Sequence, residues 1–221
     1  MPINLGNSIT IFIGILCDKN LKTKYKRMKK IFLLMIAVCF GIISYGQLAI
    51  NNVIKDKNGN EILLGCCTRE ALSREPFAAW FNNNYFNYAV DTSLIAALKE
   101  NMERKQFLIF MGTWCGDSKR EVPRILKVLD YCGVRPEQVK MVMVSNADSL
   151  YKQSPAHEEK GLNIIRVPTM IVYENNTEIN RFIEYPVESL EKDLLKILKK
   201  QFYKPNYAFN VPAAKQETIG K

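Results

Sequence analysis

Phe107-Leu108-Ile109-Phe110-Met111 is a continuous apolar run that ends at Gly112, and it constrains the fold more than any other stretch. A strand with one wet face alternates polar and apolar residues. An unbroken run needs cover on both sides, as at the centre of a parallel or mixed sheet. A helical stretch follows from about Cys115 to Tyr131, with Gly133 as its stop. A buried strand that feeds straight into a helix is a building unit of α/β folds. Before the run, Asp91 is a good N-cap for a helix from about Thr92 to Lys105, with Leu94, Ile95, Leu98 and Met102 at helical spacing. After it, Lys140 to Val144 reads as a second strand, and the polar stretch 146–163 as containing a helix. Thr169 to Tyr173 is a third strand, and Asn175-Asn176 turns tightly into a fourth, from about Glu178 to Glu184. Glu188 to Phe202 is an amphipathic helix. From residue 92 the order is α-β-α-β-α-β-β-α, which implies an α/β sandwich with parallel and antiparallel strands.

The flanking stretches are different in kind. Asn52 to Leu64 predicts two short strands around Asn58-Gly59, a strong hairpin dipeptide. Thr68 to Asn87 carries Phe77, Trp80, Phe81, Tyr85 and Phe86. It reads as short helices joined by Asn82-Asn83-Asn84, with the aromatics packed in a core. We therefore expect an N-terminal extension over 47–91, a main domain over 92–202 and an irregular tail over 203–221.

Charge is concentrated at the start. The chain has 31 Lys+Arg and 22 Asp+Glu, a net charge of +9. Residues 1–47 hold seven basic residues and one acidic, so most of the excess lies there. The remaining chain is nearly balanced, which argues against a nucleic-acid footprint on the domain. Met28-Lys29-Lys30, the apolar run Ile31 to Ile43, and small residues at Ser44 and Gly46 form the layout of a secretory signal peptide over 28–46. Residues 1–27 read as an upstream extension, and the mature chain as beginning near Gln47. The expected location is periplasmic or secreted, with membrane attachment only if the segment is uncleaved.

Trp114-Cys115-Gly116-Asp117-Ser118 sits where the buried strand turns into a helix. Free N–H groups and the helix dipole favour a thiolate at such a position, which makes Cys115 a nucleophile candidate. Here the sequence resembles the thioredoxin family over roughly residues 92–202. The resemblance is carried by Phe110 to Ser118, by Pro123 in the following helix, and by Val167-Pro168-Thr169 before the third strand. It is also similar to thioredoxin-like proteins secreted by Bacteroidetes. The resemblance implies a thioredoxin-like fold, a central mixed sheet flanked by helices. It also implies a cis Pro168 facing the active-site cysteine and a substrate surface made by Trp114, Gly116, Asp117, Val167, Pro168 and Thr169.

Three departures shape the functional expectation. Ser118 stands where the family has a second cysteine, Ile109 where it often has a buried acid, and Asp117 where thioredoxins have proline. A hydroxyl cannot resolve a mixed disulfide, so the expected activity is monothiol exchange on protein disulfides or thiols, with Ser118 hydrogen-bonded to the Cys115 thiolate. The alternative is a thioredoxin-fold binding module without turnover. Cys132 lies about 25 Å along the helix direction, far beyond the ~7 Å reach of a disulfide, and reads as structural. Cys66 or Cys67 resolves Cys115 only if the N-terminal extension folds over it. His157, the sole histidine, reads as a surface residue. No cysteine or histidine spacing suits a metal and no glycine-rich loop suits a phosphate, so no cofactor is expected.

Overall fold

The computed structural model describes residues 24–32 and 50–208. Two compact units divide the chain, 1–47 and 48–221. In the first, residues 24–32 form helix α1, exposed along its length. The end of the apolar run and the expected cleavage point at Gly46 lie outside the described residues. Among the described residues no helix is long and apolar enough to cross a membrane.

The second unit begins with β1 (Asn52–Lys55) and β2 (Glu61–Cys67), an antiparallel hairpin. Asp56 builds its turn, accepting from the backbone N–H groups of Asn58 and Asn60, each at 2.9 Å. Short helices α2 (Arg69–Leu72), α3 (Ala78–Asn87) and α4 (Ile95–Glu100) lead to β3 (Lys105–Met111). Then come α5 (Gly116–Tyr131), β4 (Val139–Met143), β5 (Thr169–Glu174), β6 (Thr177–Ile183) and α6 (Leu190–Leu198). The six strands form one mixed sheet in the order β1-β2-β4-β3-β5-β6. β3 runs parallel to β4 and antiparallel to β5, so the apolar run is a central strand as expected.

Alternation along the strands divides the apolar residues between two faces. Phe107, Ile109 and Met111 pack with buried residues of α2 to α6 in the larger core. Phe110, Val142, Val144, Val167 and Ile171 form a smaller cluster on the opposite face.

Several expectations need correction. Residues 48–91 are no separate extension. β2 pairs with β4 through Gly65, Cys66 and Cys67, and the whole stretch falls in one compact unit with the rest. Asn82-Asn83-Asn84 lies inside α3 rather than joining two helices, and Phe86 is exposed rather than in a core. The helix expected over 92–105 is a single 3-10 turn, capped by Asp91 and followed by α4. Lys105 belongs to β3, where its buried ammonium pairs with Glu174. The helix expected within 146–163 is absent, leaving only the turn Asp148–Leu150. Lys152, His157, Gly161 and Asn163 all take positive φ there, which a right-handed helix cannot hold. The last helix is shorter at both ends. Ser189 caps it by accepting from the Lys192 N–H, and Lys200 reverses the backbone beyond it with φ +54°. Tyr203, placed in the expected tail, is buried in the larger core with its hydroxyl donated to Asp193.

Candidate functional site

The end of β3 is tied down on both sides. Val144 N–H donates to the Met111 carbonyl at 2.9 Å, and the Trp114 indole Nε1 donates to the Val144 carbonyl at 2.8 Å. Thr113 is buried, and its hydroxyl accepts from the Leu63 N–H of β2 at 3.1 Å. Gly112 is required by close approach. A Cβ there would stand 2.5 Å from the Trp114 ring, so no larger residue fits while the indole keeps its place. Trp114 also lies against Tyr151, with ring centroids 5.6 Å apart.

This bracing delivers Cys115 to the N-cap of α5 with extended backbone geometry. Its N–H donates to the Gly112 carbonyl, and its own carbonyl accepts from Lys119 N–H. The half-exposed thiol Sγ donates to the Val167 carbonyl at 3.3 Å. The Val167–Pro168 peptide is cis. Two residues earlier in the same segment, the Ile165 carbonyl accepts from Lys152 Nζ at 2.6 Å. Burial, then the neighbouring Arg166 guanidinium, push the Lys152 ammonium below its ordinary value.

The residues marked from the sequence are not equally open. Trp114, Cys115 and Asp117 are half-exposed and Gly116 is exposed, with free space where its Cβ would be. Asp117 is held by Arg120 at 2.8 Å. Ser118 is fully buried, and its hydroxyl accepts from the Gly112 N–H at 3.3 Å. It therefore braces the loop from below, where a bond to the Cys115 sulfur was expected. Val167, Pro168 and Thr169 are also buried, and Thr169 donates its hydroxyl to the Arg166 carbonyl. Cys115 meets them at the Val167 carbonyl and packs against the smaller cluster to which Val167 belongs.

Four cysteines fall within the described residues and all are free thiols. Cys66 lies on the smaller-cluster face and donates to Glu158 Oε1 at 3.0 Å. Burial first, then that carboxylate, raise its pKa. Cys67 faces the larger core, where burial pushes it up to about 12. Cys132 caps the C-terminus of α5, and burial pushes it up to about 11. These three thiols stay protonated near neutral pH. His157 is a surface residue beside Glu159. Among the described residues no group of three or more His, Cys, Asp or Glu side chains is placed to hold a metal ion.

Sequence reasoning missed a cleft of about 610 Å³ on the other side of Trp114. One wall is the β1–β2 turn, with Asp56, Asn58, Asn60 and Glu61. The second is Pro76, Phe77 and Trp80 at the start of α3, and the third is Thr113, Trp114, Lys119 and Asn146. Desolvation opposes ionisation of Asp56, but hydrogen bonds from Asn60, Asn146 and Asn58 hold its carboxyl below the ordinary value. The walls come from four separate parts of the chain, so no local pattern signalled the cleft.

No protein-family model matches the chain, and no curated protein matches it. Two solved structures are similar in part. A protein of unknown function from Pseudomonas aeruginosa aligns over 55% of this chain and 81% of its own length, at 15% identity and a TM-score of 0.40. An HIV epitope-scaffold aligns over the same shares, at 17% identity and a TM-score of 0.37.

Proposed function

We propose that the chain is an exported, thioredoxin-like protein that performs monothiol exchange on polypeptide disulfides, with Cys115 as the nucleophile. One observation carries the reading. A half-exposed thiol stands at the N-cap of a sixteen-residue helix and donates to the main chain before Pro168, while the other described thiols are buried or held. The smaller thiol-bearing face, the mixed sheet and the Trp114-Cys115 placement support the family resemblance.

In the exchange, the Cys115 thiolate attacks one sulfur of a substrate disulfide. The new Cys115–substrate S–S bond forms as the old one breaks, and the second substrate sulfur leaves as a thiolate and takes a proton from water. A further thiol, from the substrate or from a small external thiol, then attacks the mixed disulfide and releases Cys115. One disulfide is broken and one formed at each step, so when the substrate supplies the second thiol its bonds are rearranged with no net oxidation or reduction. Ser118 and Trp114 hold the loop, through Gly112 N–H and the Val144 carbonyl. Once the thiol loses its proton it no longer donates to Val167, and that carbonyl is free to accept from a substrate N–H.

A binding face without turnover is the second reading, and the cleft beside Trp114 favours it. Mass spectrometry of disulfide-linked partners separates the two. The wild type is expected to trap them and Cys115→Ala is not. Equal trapping by both proteins overturns the exchange reading.

A further inference from the structure

The protein's two tryptophans line the same cleft. Trp80 is half-exposed at the start of α3, and Trp114 is the neighbour of Cys115. The opening of about 610 Å³ has the size of a ligand cleft rather than of a packing defect, and it is open to solvent along one side. Its chemistry is mixed in a particular way. Two indoles supply flat apolar surface that also attracts cations. The carboxamides of Asn58 and Asn60 each carry a donor and an acceptor, which match the C=O and N–H of an extended main chain. Two carboxylates, Asp56 and Glu61, stand against one ammonium, Lys119, so the charged groups lining the cleft sum to −1.

We infer that the cleft binds an extended polypeptide segment carrying basic side chains, the stretch that flanks the substrate cysteine joined to Cys115. The inference rests on the exchange reading for what passes through the cleft, but the binding itself requires no sulfur chemistry. A chain advances about 3.3 Å per residue when extended. A polypeptide joined at Cys115 that runs over the neighbouring Trp114, which lines the cleft, brings its next few residues into it. Arginine fits best, since its planar cation stacks on an indole and pairs with a carboxylate at its edge. The site thus selects among substrates by sequence next to the disulfide, although Cys115 itself is indifferent to sequence.

The test uses the full chain as the Cys115→Ser variant and two thiol-free peptides, acetyl-Gly-Arg-Ser-Arg-Gly-amide and its counterpart with Glu in place of both Arg. Tryptophan emission reports on the cleft directly, because both indoles border it. The Arg peptide is expected to shift the emission saturably and to bind at least about tenfold tighter than the Glu peptide at low ionic strength. Salt is expected to narrow that ratio. Glu61→Gln should reduce the preference and Glu61→Lys should abolish or reverse it, while Glu61 is exposed on β2 and neither change disturbs a buried partner. Equal affinity for the two peptides, no saturation by either, or a preference untouched by Glu61→Lys overturns the inference. So does saturable binding of a neutral disaccharide such as cellobiose without any peptide response. The wild type is assayed in parallel for exchange on insulin disulfides. Peptide binding without exchange sinks the exchange reading and leaves the basic-segment site standing. Exchange without peptide binding does the reverse.

Discussion

Against one face of the sheet lie α3, α4, α5 and α6, and Phe107, Ile109 and Met111 are buried there among their apolar side chains. Against the other face, Phe110, Val142 and Ile171 lie under residues 145–166, a stretch with no α-helix. The first face is closed by side-chain packing. The second is closed by fewer apolar side chains, Leu162 and Ile164 among them, together with polar ties. Lys152 donates to the Ile165 carbonyl, Ser154 to Glu158, and Arg181 to the Leu162 carbonyl and to Glu178. Burying a large apolar side chain contributes roughly 1.5–3 kcal/mol, whereas a typical hydrogen bond adds about 0.5–1.5 kcal/mol net, because water competes for both partners. The lesson is one of placement. Cys115 borders the face whose cover is held by ties that water can replace, and the packed face carries the stability.

The strongest way to break that comparison is to empty each face in turn. Phe107→Ala is expected to lose about 3–5 kcal/mol by urea unfolding, since the ring is nearly fully buried and the core closes only partly around the void. Ser154→Ala should cost about 1–3 kcal/mol and speed alkylation of Cys66, because Ser154 braces the Glu158 carboxylate that holds that thiol. Equal losses at the two positions would end the distinction between the faces.

Thiol labelling sharpens the same contrast. At pH 8 a thiol with a pKa of about 12 is ionised in roughly one part in 10⁴, against about a quarter for an unperturbed cysteine. Cys67 in the packed face is therefore expected to react with iodoacetamide at least ~10³-fold more slowly than in the denatured chain. Peptide mapping over time measures it, and rapid native labelling of Cys67 would show the packed face opening readily.

Gly112→Ala tests the seam between the faces. The added methyl collides with the Trp114 ring, so the indole must move off the Val144 carbonyl. The expected loss is about 1–3 kcal/mol with a shifted tryptophan emission. An unchanged emission would mean that the loop is not braced as described.

The smallest effect is at an end of the packed face, where Glu174 joins Lys105 and Lys200. These partners lower the Glu174 carboxyl from its ordinary 4.5 to about 2. Because the folded value is the depressed one, the stabilisation is complete above pH 4.5 and fades as pH falls toward 2. Glu174→Gln should flatten that part of the acid unfolding curve, and an unaltered curve would remove the ion pair from the account.

What the sequence shows tracks how local each cause is. The 107–111 run, the Cys115 helix start and the Asn175-Asn176 turn are legible because their determinants are neighbours in the chain. The cover over 145–166 is not, because Lys152 is fixed by the main-chain carbonyl of Ile165, and Ser154 is held by the Glu158 and Glu159 carboxylates in a turn that no helical or strand period announces. Nor is the place of Cys66, since nothing in β2 names β4 as its neighbour. At the site, Trp114 and Cys115 are readable from position. Ser118 is misread because its partner is a main-chain N–H at Gly112, which no residue pattern reports.

The strand order also sets a timetable for assembly. β3, the centre of the sheet, has β4 and β5 as its neighbours, and both follow it in the chain; β2 likewise waits for β4. A growing polypeptide that has not reached residue 169 already owns the four strands β1-β2-β4-β3 and helices α2 to α5, but β3 still presents an open edge where β5 belongs. Arrival of β5 and then β6 lets the packed face close as a unit, so this protein folds late, after most of its length has been made.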